Sequence, residues 1–296
     1  MILVAGGTGR LGTVLLRKIA ERKIADGGTP VRVLTRSEAS AGRLRDEGLE
    51  CVVGDLRNPA DAVRAVQGCS TVISAVSGFG PMGKSTPENV DRDGNIRLIE
   101  ASVRAGVKHF VMVSMHGAGQ DSAIPLLRMK HLAEQALKAS GLSWTIVRPT
   151  PCLETYLDVM GAPLAKKGTT VMFGSGASTI NFVSVSDVAE VVLRALDDPA
   201  LRGEAIELGG PNLTLGQLSA ALHAAAGTKG KTNRIPLPAL RIISMAARPF
   251  SPFMARAAQA AVVMNTTDMA FDAGPSRLRF PGLPLTSLAE ATARLR

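Results

Sequence analysis

The chain has 296 residues, 46% of them apolar, enough for one large α/β domain or one domain with a smaller lobe. Lysine and arginine outnumber aspartate and glutamate by 34 to 25, a net charge of +9. No apolar run approaches the roughly 20 residues of a membrane span, and Met1 opens a strand-like run without a signal-peptide pattern, so we expect a cytoplasmic protein. Cys51, Cys69 and Cys152 lack metal-like spacing, so we expect reduced core cysteines and no metal site.

The first 19 residues combine an apolar run of strand length, a glycine-rich turn and a segment of helical period. Gly6, Gly9 and Gly12 have the spacing G-x-x-G-x-x-G within this turn. Glycines permit the sharp reversal, the approach of a phosphate to the backbone and the close packing of helix on strand. The free N–H groups of the helix start then face the phosphate. The pattern predicts a dinucleotide-phosphate site.

Strand and helix patterns alternate six times in the first half of the chain. We predict strands at 1–5, 31–35, 50–54, 70–76, 107–114 and 142–147, with helices at 10–25, 39–47, from 59, 88–105 and 124–140. This alternation is typical of an α/β fold with a doubly wound parallel (Rossmann) sheet, which binds ligands at the carboxyl ends of its strands. The predicted strand ends carry Gly6, Arg36, Asp55, Val76, Ser114 and Pro149.

The second half is less regular. We predict a dinucleotide-binding domain over 1–150 and a smaller C-terminal α/β substrate lobe over 151–296, interleaved with the sheet through about 181–210. Residues 150–167 are predicted as loop and short helix, 181–185 and 205–208 as strands, and 186–196 and 213–226 as helices, with Thr214 capping the last. Two helices broken at Pro249 and Pro252 are predicted within 236–264.

The end of the second predicted strand indicates which dinucleotide would bind. NAD sites usually have a carboxylate there for the ribose hydroxyl, but this chain has Arg36. An arginine suits a 2′-phosphate, and Arg10 in the glycine turn adds a second cation, so NADP(H) is favoured. Alternatively, Arg36 is an exposed loop residue.

Two further positions are candidates for cofactor or substrate contacts. Asp55 can accept from the adenine amino group while Leu56 packs on the ring, and Asp55 can instead, or also, cap the helix that starts at Pro59. Lys130 lies at the border of an apolar helix face, from which its ammonium can reach a ribose or substrate oxygen. The alternative for Lys130 is an ordinary surface lysine.

Several motifs together resemble the NmrA-like group of atypical short-chain dehydrogenase/reductases. The resemblance extends to about Gly210 and rests on GGTGRLG (6–12), TR (35–36), GDL (54–56), VDRDGN (90–95), AGVKHFVMVS (105–114), KHLAE (130–134), WTIVRP (144–149) and FVSVSDVA (182–189). It implies a Rossmann domain that binds NADP(H). The cofactor positions it implies are Gly6, Thr8, Gly9, Arg10, Leu11, Arg36, Asp55, Leu56, Ala75, Val76, Lys130 and Pro149.

One departure from the family concerns catalysis. Typical short-chain reductases have a tyrosine four residues before the lysine, where this chain has Leu126. The single tyrosine of the chain, Tyr156, lies in a segment that lines the substrate cleft in similar proteins; it is either a proton donor or a partly buried residue of the lobe. The serine of the usual triad falls near Ser114, and His116 is either an acid close to neutral pH or a loop residue without a role.

Two functions follow from these residues. The first is an NADPH-dependent reductase of a small carbonyl or quinone-like acceptor, with Lys130 orienting the ribose or carbonyl. Its site is expected to be apolar, lined by Met115, Leu153, Met160 and Phe173, and similar reductases exist that lack the tyrosine. The second is a non-catalytic NADP(H) sensor that binds a protein partner. A third function, nucleotide-sugar epimerisation, has less support, because related epimerases use the tyrosine that this chain lacks.

A basic segment, residues 208–267, contains no acidic residue. Its cations are Lys229, Lys231, Arg234, Arg241, Arg248 and Arg256. It is either a surface for nucleic acid, an anionic membrane or an acidic protein, or a solvated basic face. Aromatic residues that stack on bases are scarce here, so nucleic acid is not favoured.

Overall fold

The computed structural model describes residues 1–26, 29–80, 84–228 and 230–294. Its strands are β1 (Ile2–Ala5), β2 (Val31–Thr35), β3 (Glu50–Val53), β4 (Thr71–Ser74), β5 (His109–Val113), β6 (Trp144–Pro149), β7 (Thr170–Phe173), β8 (Thr179–Asn181), β9 (Glu204–Leu208), β10 (Asn212–Thr214) and β11 (Thr232–Ile235). Its helices are α1 (Arg10–Asp26), α2 (Glu38–Asp46), α3 (Pro59–Val66), α4 (Asp93–Arg104), α5 (Pro125–Ala139), α6 (Leu153–Gly161), α7 (Leu164–Lys167), α8 (Val185–Asp197), α9 (Leu215–Ala225), α10 (Leu237–Ala246), α11 (Pro252–Thr266), α12 (Gly274–Arg279) and α13 (Leu288–Ala293).

Seven strands form one sheet in the order β3-β2-β1-β4-β5-β6-β9. The six predicted strands pair in parallel, with Val4 of β1 opposite Val33 of β2 and Ile73 of β4. These side chains are buried, as expected for a parallel sheet covered by helices on both faces. The predicted Rossmann α/β fold is therefore confirmed.

The chain separates into two compact units. The first contains Met1–Pro149 and Val188–Glu207, and the second contains Thr150–Asp187 and Leu208–Arg296. The first unit holds most of the large sheet. Its assignment as the cofactor domain, and that of the second unit as a substrate lobe, stay predictions.

The second unit contains two small sheets. Strand β8 pairs antiparallel with β10, and β7 pairs in parallel with β11. Strand β7 was not expected, because its four residues follow a polar segment and show no extended pattern. The strand expected at 181–185 lies at Thr179–Asn181 instead, because α8 already begins at Val185. Thr214 caps α9 as predicted, accepting a hydrogen bond from the backbone N–H of Gln217.

The helix predicted over 88–105 has a different first turn. Residues Pro87–Arg92 form a π-helical turn, and α4 follows from Asp93. Thr86 begins the turn with a reciprocal cap, in which Thr86 and Asn89 bind each other's backbone N–H groups. Wide turns of this kind often occur at functional sites, and this one carries the buried carboxylate of Asp91.

Two properties of the described residues bear on localisation and metal binding. None of the helices is both long and apolar enough to span a bilayer. No three His, Cys, Asp or Glu side chains in this part of the chain are grouped as metal ligands would be.

Candidate functional site

The glycine turn between β1 and α1 leaves no room for side chains at two of its positions. Gly6 has φ +88°, and a Cβ on it would lie 2.6 Å from the carbonyl oxygen of Ala75. A Cβ on Gly12 would lie 2.2 Å from the carbonyl oxygen of Gly6. The N–H of Gly9 donates to that same oxygen over 3.0 Å, and α1 starts at the next residue. The turn is therefore tight and has bare backbone at a helix start, which fits the binding of a pyrophosphate.

The end of β2 presents a cation and no carboxylate. Arg36 is exposed, and its Nη1 donates to the Ser85 hydroxyl over 2.6 Å. Ser37 caps α2 by accepting from the Ser40 N–H. Arg36 thus lies beside a helix start, where the cation and the free N–H groups attract a phosphate.

Asp55 follows β3 and is bound by Arg57. The Arg57 side chain reaches both carboxylate oxygens, and its hydrogen bonds hold the pKa of Asp55 below its usual value. Asp55 does not cap α3; Asn58 does, accepting from the Ala60 N–H. That alternative for Asp55 is wrong, because α3 begins too late for Asp55 to reach its first turn.

Lys130 is buried, with 3% of its side chain exposed. From α5, its Nζ donates to the carbonyl oxygens of Val76 over 2.9 Å and Val113 over 3.1 Å. It also lies 3.1 Å from Asp91 Oδ1. Two of its donors are therefore hydrogen-bonded to backbone carbonyls, and its charge is compensated by the Asp91 carboxylate. The alternative of an ordinary surface lysine is therefore wrong.

Asp91 is the partner of Lys130 that the sequence did not indicate. Its Oδ2 accepts a hydrogen bond from the Gly78 N–H over 2.7 Å. Burial raises the pKa of Asp91, while the Lys130 charge and the Gly78 hydrogen bond act in the opposite direction. The Lys130 ammonium therefore lies between the carboxyl ends of β4 and β5, and the Asp91 carboxylate balances its charge.

Ser114, directly after β5, has a buried hydroxyl without a hydrogen-bond partner among the described residues. A buried hydroxyl without a partner is costly unless a ligand or water supplies one. Because Ser114 follows Val113, whose carbonyl binds Lys130, this hydroxyl lies one residue from the lysine site along the chain. The site fits a ligand with a polar group at this point.

His116 lies two residues further on, with 38% of its side chain exposed. Its Nδ1 is 2.7 Å from Glu207 Oε2. A carboxylate only accepts hydrogen bonds, so Nδ1 carries the hydrogen. Burial acts to raise the pKa of Glu207, but hydrogen bonds from His116 and Arg148 outweigh it and keep the pKa below its usual value.

Arg148 links this histidine pair to α5. Its Nη1 donates to Glu207 Oε1 over 2.9 Å, and its Nε donates to Glu134 Oε1 over 3.0 Å. Glu134 is fully buried, and its hydrogen bonds raise the pKa of Arg148 further above the usual range. The chain of charges fixes the position of the carboxylate that orients His116.

Tyr156, in the second unit, donates its hydroxyl to Met264 Sδ over 3.0 Å and stacks edge-on against Phe182. Burial raises its pKa above the usual value, which makes the phenol a weaker acid. Leu153 and Met160, expected to line an apolar site, are fully buried in the core of the same unit instead. The expectation that they line the site is therefore wrong.

The first unit brings several of the predicted positions together. Gly6 lies against Ala75 and Val76, Val76 binds Lys130, and Lys130 binds the residue before Ser114. The His116 N–H donates to the Pro149 carbonyl over 2.9 Å, which joins Pro149 to this group. Thr8, Arg10 and Leu11 belong to the glycine turn and its helix start, and Leu56 is buried beside α4.

These features are those of a Rossmann fold that binds a dinucleotide. A family model described as NAD(P)H-binding matches residues 6–199. The chain belongs to this NAD(P)H-binding family, which confirms the resemblance and the dinucleotide cofactor expected from the sequence.

Curated relatives of this chain include reductases and assembly factors. An NAD(P)H azoreductase of Xenophilus azovorans is 33% identical over 228 residues, covering 77% of this chain and 74% of that protein. The photosystem II assembly factor Ycf39 of Trieres chinensis is 31% identical over 248 residues, covering 82% and 74%. The chain therefore groups with oxidoreductases and with proteins whose names describe assembly.

Solved structures match the fold along nearly the whole chain. The NADPH complex of the quinone oxidoreductase QOR2 from Escherichia coli has a TM-score of 0.78 at 24% identity, covering 100% of this chain and 99% of that one. The NADP(H) complex of a Citrobacter sp. triphenylmethane reductase has a TM-score of 0.78 at 19% identity, with 99% of each chain covered. At these identities the likeness shows the shared fold.

Proposed function

We propose that this protein is an NADPH-dependent reductase of a small quinone-like, azo or conjugated carbonyl acceptor. The observation that carries the proposal is the His116–Glu207 pair, with 2.7 Å between His116 Nδ1 and Glu207 Oε2. A partly exposed imidazole at the carboxyl end of the sheet can serve as the proton source that a reduction needs. The azoreductase relative supports the same chemistry, and two structures that share the fold are a quinone oxidoreductase and a triphenylmethane reductase.

The choice of NADPH over NADH rests on Arg36. The cation at the end of β2 lies beside a helix start, and the segment 35–37 offers no carboxylate to hold a ribose 2′-hydroxyl. A guanidinium forms paired, charge-assisted hydrogen bonds with a phosphate. Gly6, Gly9 and Gly12 would hold the pyrophosphate, and the unpartnered Ser114 hydroxyl would meet a polar group further along the ligand.

Reduction of a quinone to a hydroquinone needs two electrons and two protons. When bound, NADPH supplies both electrons and one hydrogen as a hydride. We assign the remaining proton to the Nε2–H of His116 protonated on both ring nitrogens, while its Nδ1–H stays bound to Glu207. After transfer, His116 is left neutral with its hydrogen on Nδ1. Arg148 keeps the Glu207 carboxylate ionised and in place. This donor substitutes for the tyrosine that Leu126 replaces.

Lys130 has a different role in this proposal. Two of its donors bind the carbonyls of Val76 and Val113, and its charge is paired with Asp91 at 3.1 Å, so the ammonium acts as a fixed positive charge that tethers the ends of β4 and β5. It is therefore a positioning residue, and the proton comes from elsewhere.

A second candidate function is a non-catalytic NADP(H) sensor with a protein partner. The observation that favours it is Tyr156, whose hydroxyl donates to a thioether in the core of the second unit. This tyrosine therefore does not take the place of the tyrosine that typical short-chain reductases have four residues before the lysine, where this chain has Leu126. Relatives named photosystem II assembly factors support a binding role for this alternative.

Oxidation of NADPH in the presence of a panel of acceptors separates the two functions. Menadione, 1,4-naphthoquinone and methyl red are suitable acceptors, with NADH run in parallel. We expect saturable turnover with at least one acceptor and a preference for NADPH. Saturable NADPH binding without turnover of any acceptor would contradict the reductase and favour the sensor.

A further inference from the structure

Helices α10 and α11 form a hairpin within the second unit. Leu240 on α10 packs against Ala258 and Ala261 on α11, with Ile243 beside them. The apolar inner face of each helix is therefore buried against the other helix. The turn between the helices spans 247–251, where the Phe250 and Ser251 N–H groups donate to the Ala247 carbonyl.

The outer side of this hairpin exposes large apolar side chains. Ile242 and Met245, one turn apart on α10, are 60% and 62% exposed. Phe250 in the turn is 89% exposed, and Met254 in the first turn of α11 is 53% exposed. Four large apolar side chains within 13 residues (242–254) are a concentration that scattered surface residues do not produce.

Cations lie among these apolar side chains. Arg241 precedes Ile242 on the exposed side of α10, and Arg248 lies in the turn two residues before Phe250. Within residues 1–26, 29–80, 84–228 and 230–294, no carboxylate forms an ion pair with either arginine. The surrounding chain, 208–267, has no acidic residue, and its Lys229 lies outside the described residues.

We propose that the α10–α11 hairpin docks on an anionic membrane surface. The apolar side chains would enter the boundary between headgroups and acyl chains, and the arginines would meet lipid phosphates. Interfacial segments combine these features, an apolar face and a cationic one on short helices that do not span the bilayer. The lack of acidic residues removes the like-charge repulsion that an anionic surface would otherwise impose.

A second copy of this chain is a poorer occupant of the same surface. A two-fold contact through the hairpin would bring Arg241 and Arg248 of both copies together, with no described carboxylate beside them for compensation. An acidic protein satisfies the charges, but it needs a complementary hollow for Phe250, which is 89% exposed in the turn. A lipid surface needs no such preformed fit.

Co-sedimentation with lipid vesicles tests the proposal on the full chain. The vesicles are phosphatidylcholine alone or phosphatidylcholine with phosphatidylglycerol. We expect binding to the mixed vesicles at low salt, and at least about tenfold weaker binding to phosphatidylcholine alone, since each cation near an anionic surface contributes about fivefold. Binding should weaken as salt screens the charges.

Two double variants separate the apolar and cationic contributions. Met245→Ser with Phe250→Ser, and Arg241→Gln with Arg248→Gln, should each weaken binding to mixed vesicles about tenfold or more. Val103→Ser with Arg104→Gln is the matched control, because it changes an exposed apolar residue and a neighbouring arginine on α4 of the first unit. All these side chains are exposed, so thermal unfolding temperatures should change little.

Several results would overturn the proposal. One is wild-type protein that stays in the supernatant with mixed vesicles at low salt. Another is binding that the serine variants leave unchanged, because it shows charge attraction without insertion. A concentration-dependent dimer that the serine variants dissociate assigns the surface to a second copy. Retention on poly-glutamate without vesicle binding assigns it to an acidic protein.

Discussion

Lys130 and Asp91 form a buried ion pair, with 3.1 Å between Lys130 Nζ and Asp91 Oδ1. The two residues are 39 positions apart, on α5 and on the π-helical turn before α4. The pair joins helix and turn at the point where β4 and β5 end, because Lys130 also binds the Val76 and Val113 carbonyls. Removal of one charge leaves the other buried without compensation.

We therefore expect Asp91→Asn and Lys130→Met each to lower the free energy of unfolding by about 3–5 kcal/mol. The double variant should lose about 1–3 kcal/mol less than the sum of the two, because no lone charge stays buried. Urea unfolding of the four proteins measures this coupling. The exposed pair Arg45–Glu38, at 2.6 Å, is the control, and Arg45→Met with Glu38→Gln should show much weaker coupling, because solvent screens exposed charges. Additive losses at Asp91 and Lys130 would contradict the assignment.

Gly12→Ala should abolish dinucleotide binding, because the added Cβ would lie 2.2 Å from the Gly6 carbonyl oxygen and force the turn apart. Gly42→Ala is the matched control, since its Cβ in α2 meets no atom within 4 Å. The control should bind NADPH normally and gain about 0.5–1 kcal/mol of stability. NADPH titration and thermal unfolding of the two variants check these expectations. Normal NADPH binding by Gly12→Ala would contradict the assignment of the glycine turn to the dinucleotide site.

The sheet could be predicted because its strands are short apolar runs separated by glycine, proline and polar residues. The π-helical turn could not, because one extra residue per turn leaves the apolar pattern of 88–105 helical in appearance. Strand β7 was missed for a related reason. Its four residues gain their structure from pairing with β11, 62 residues later, and not from a local pattern.

The residues of the candidate site could be predicted where they belong to a local motif, but not where their contacts are with residues far away in the sequence. The glycine turn and Arg36 could be identified from neighbouring residues. Asp91, Glu134 and Glu207 could not be assigned, because a charge buried by tertiary contacts looks like any surface charge in the sequence. Two signals did exist: Asp91 lies within VDRDGN (90–95), and Glu134 lies within KHLAE (130–134).

Arg36→Ala should weaken NADPH binding about 10- to 100-fold, the contribution of a charge-assisted contact with a phosphate. NADH lacks the 2′-phosphate, so its affinity should change less than about threefold. Arg43→Ala controls for net charge, because Arg43 is exposed on α2 and its guanidinium donates to the Ser40 hydroxyl. Isothermal titration with both cofactors measures the effect. Equal losses for NADPH and NADH would mean that Arg36 does not select the phosphate.

His109 should make the protein less stable in mild acid. Its Nε2 lies 3.0 Å from the Thr145 hydroxyl, which itself donates to Leu201, and burial lowers the pKa of His109 to about 4. The unfolded chain has a pKa near 6.5, so between these values it binds more protons than the folded chain. Stability should therefore fall by about 3 kcal/mol as pH drops from 6.5 to 4.

The variant His109→Gln should lose that part of the pH dependence, because glutamine does not titrate and can still donate to Thr145. Urea unfolding at pH 7, 6, 5 and 4 compares the two proteins. Thr145→Ser keeps the hydroxyl that His109 contacts and offers the control, which should retain the wild-type slope. Parallel slopes for wild type and His109→Gln would assign the acid sensitivity to other groups.

Variants of His116 and Tyr156 decide which of the two residues donates the proton to the acceptor. His116→Gln should lower kcat about 10²- to 10⁴-fold for a quinone acceptor and leave NADPH affinity unchanged, because it removes the acid but not the cofactor contacts. Glu207→Gln should lower kcat less and shift the pH profile, since the amide still accepts from Nδ1 but carries no charge. The kcat of Tyr156→Phe should stay within about twofold of wild type, because the Tyr156 hydroxyl donates to Met264 and burial raises the pKa of Tyr156.

A large loss of kcat in Tyr156→Phe together with an active His116→Gln would assign the proton to the tyrosine. In that case the Met264 contact would have to open during turnover, and Met264→Leu would then increase the rate.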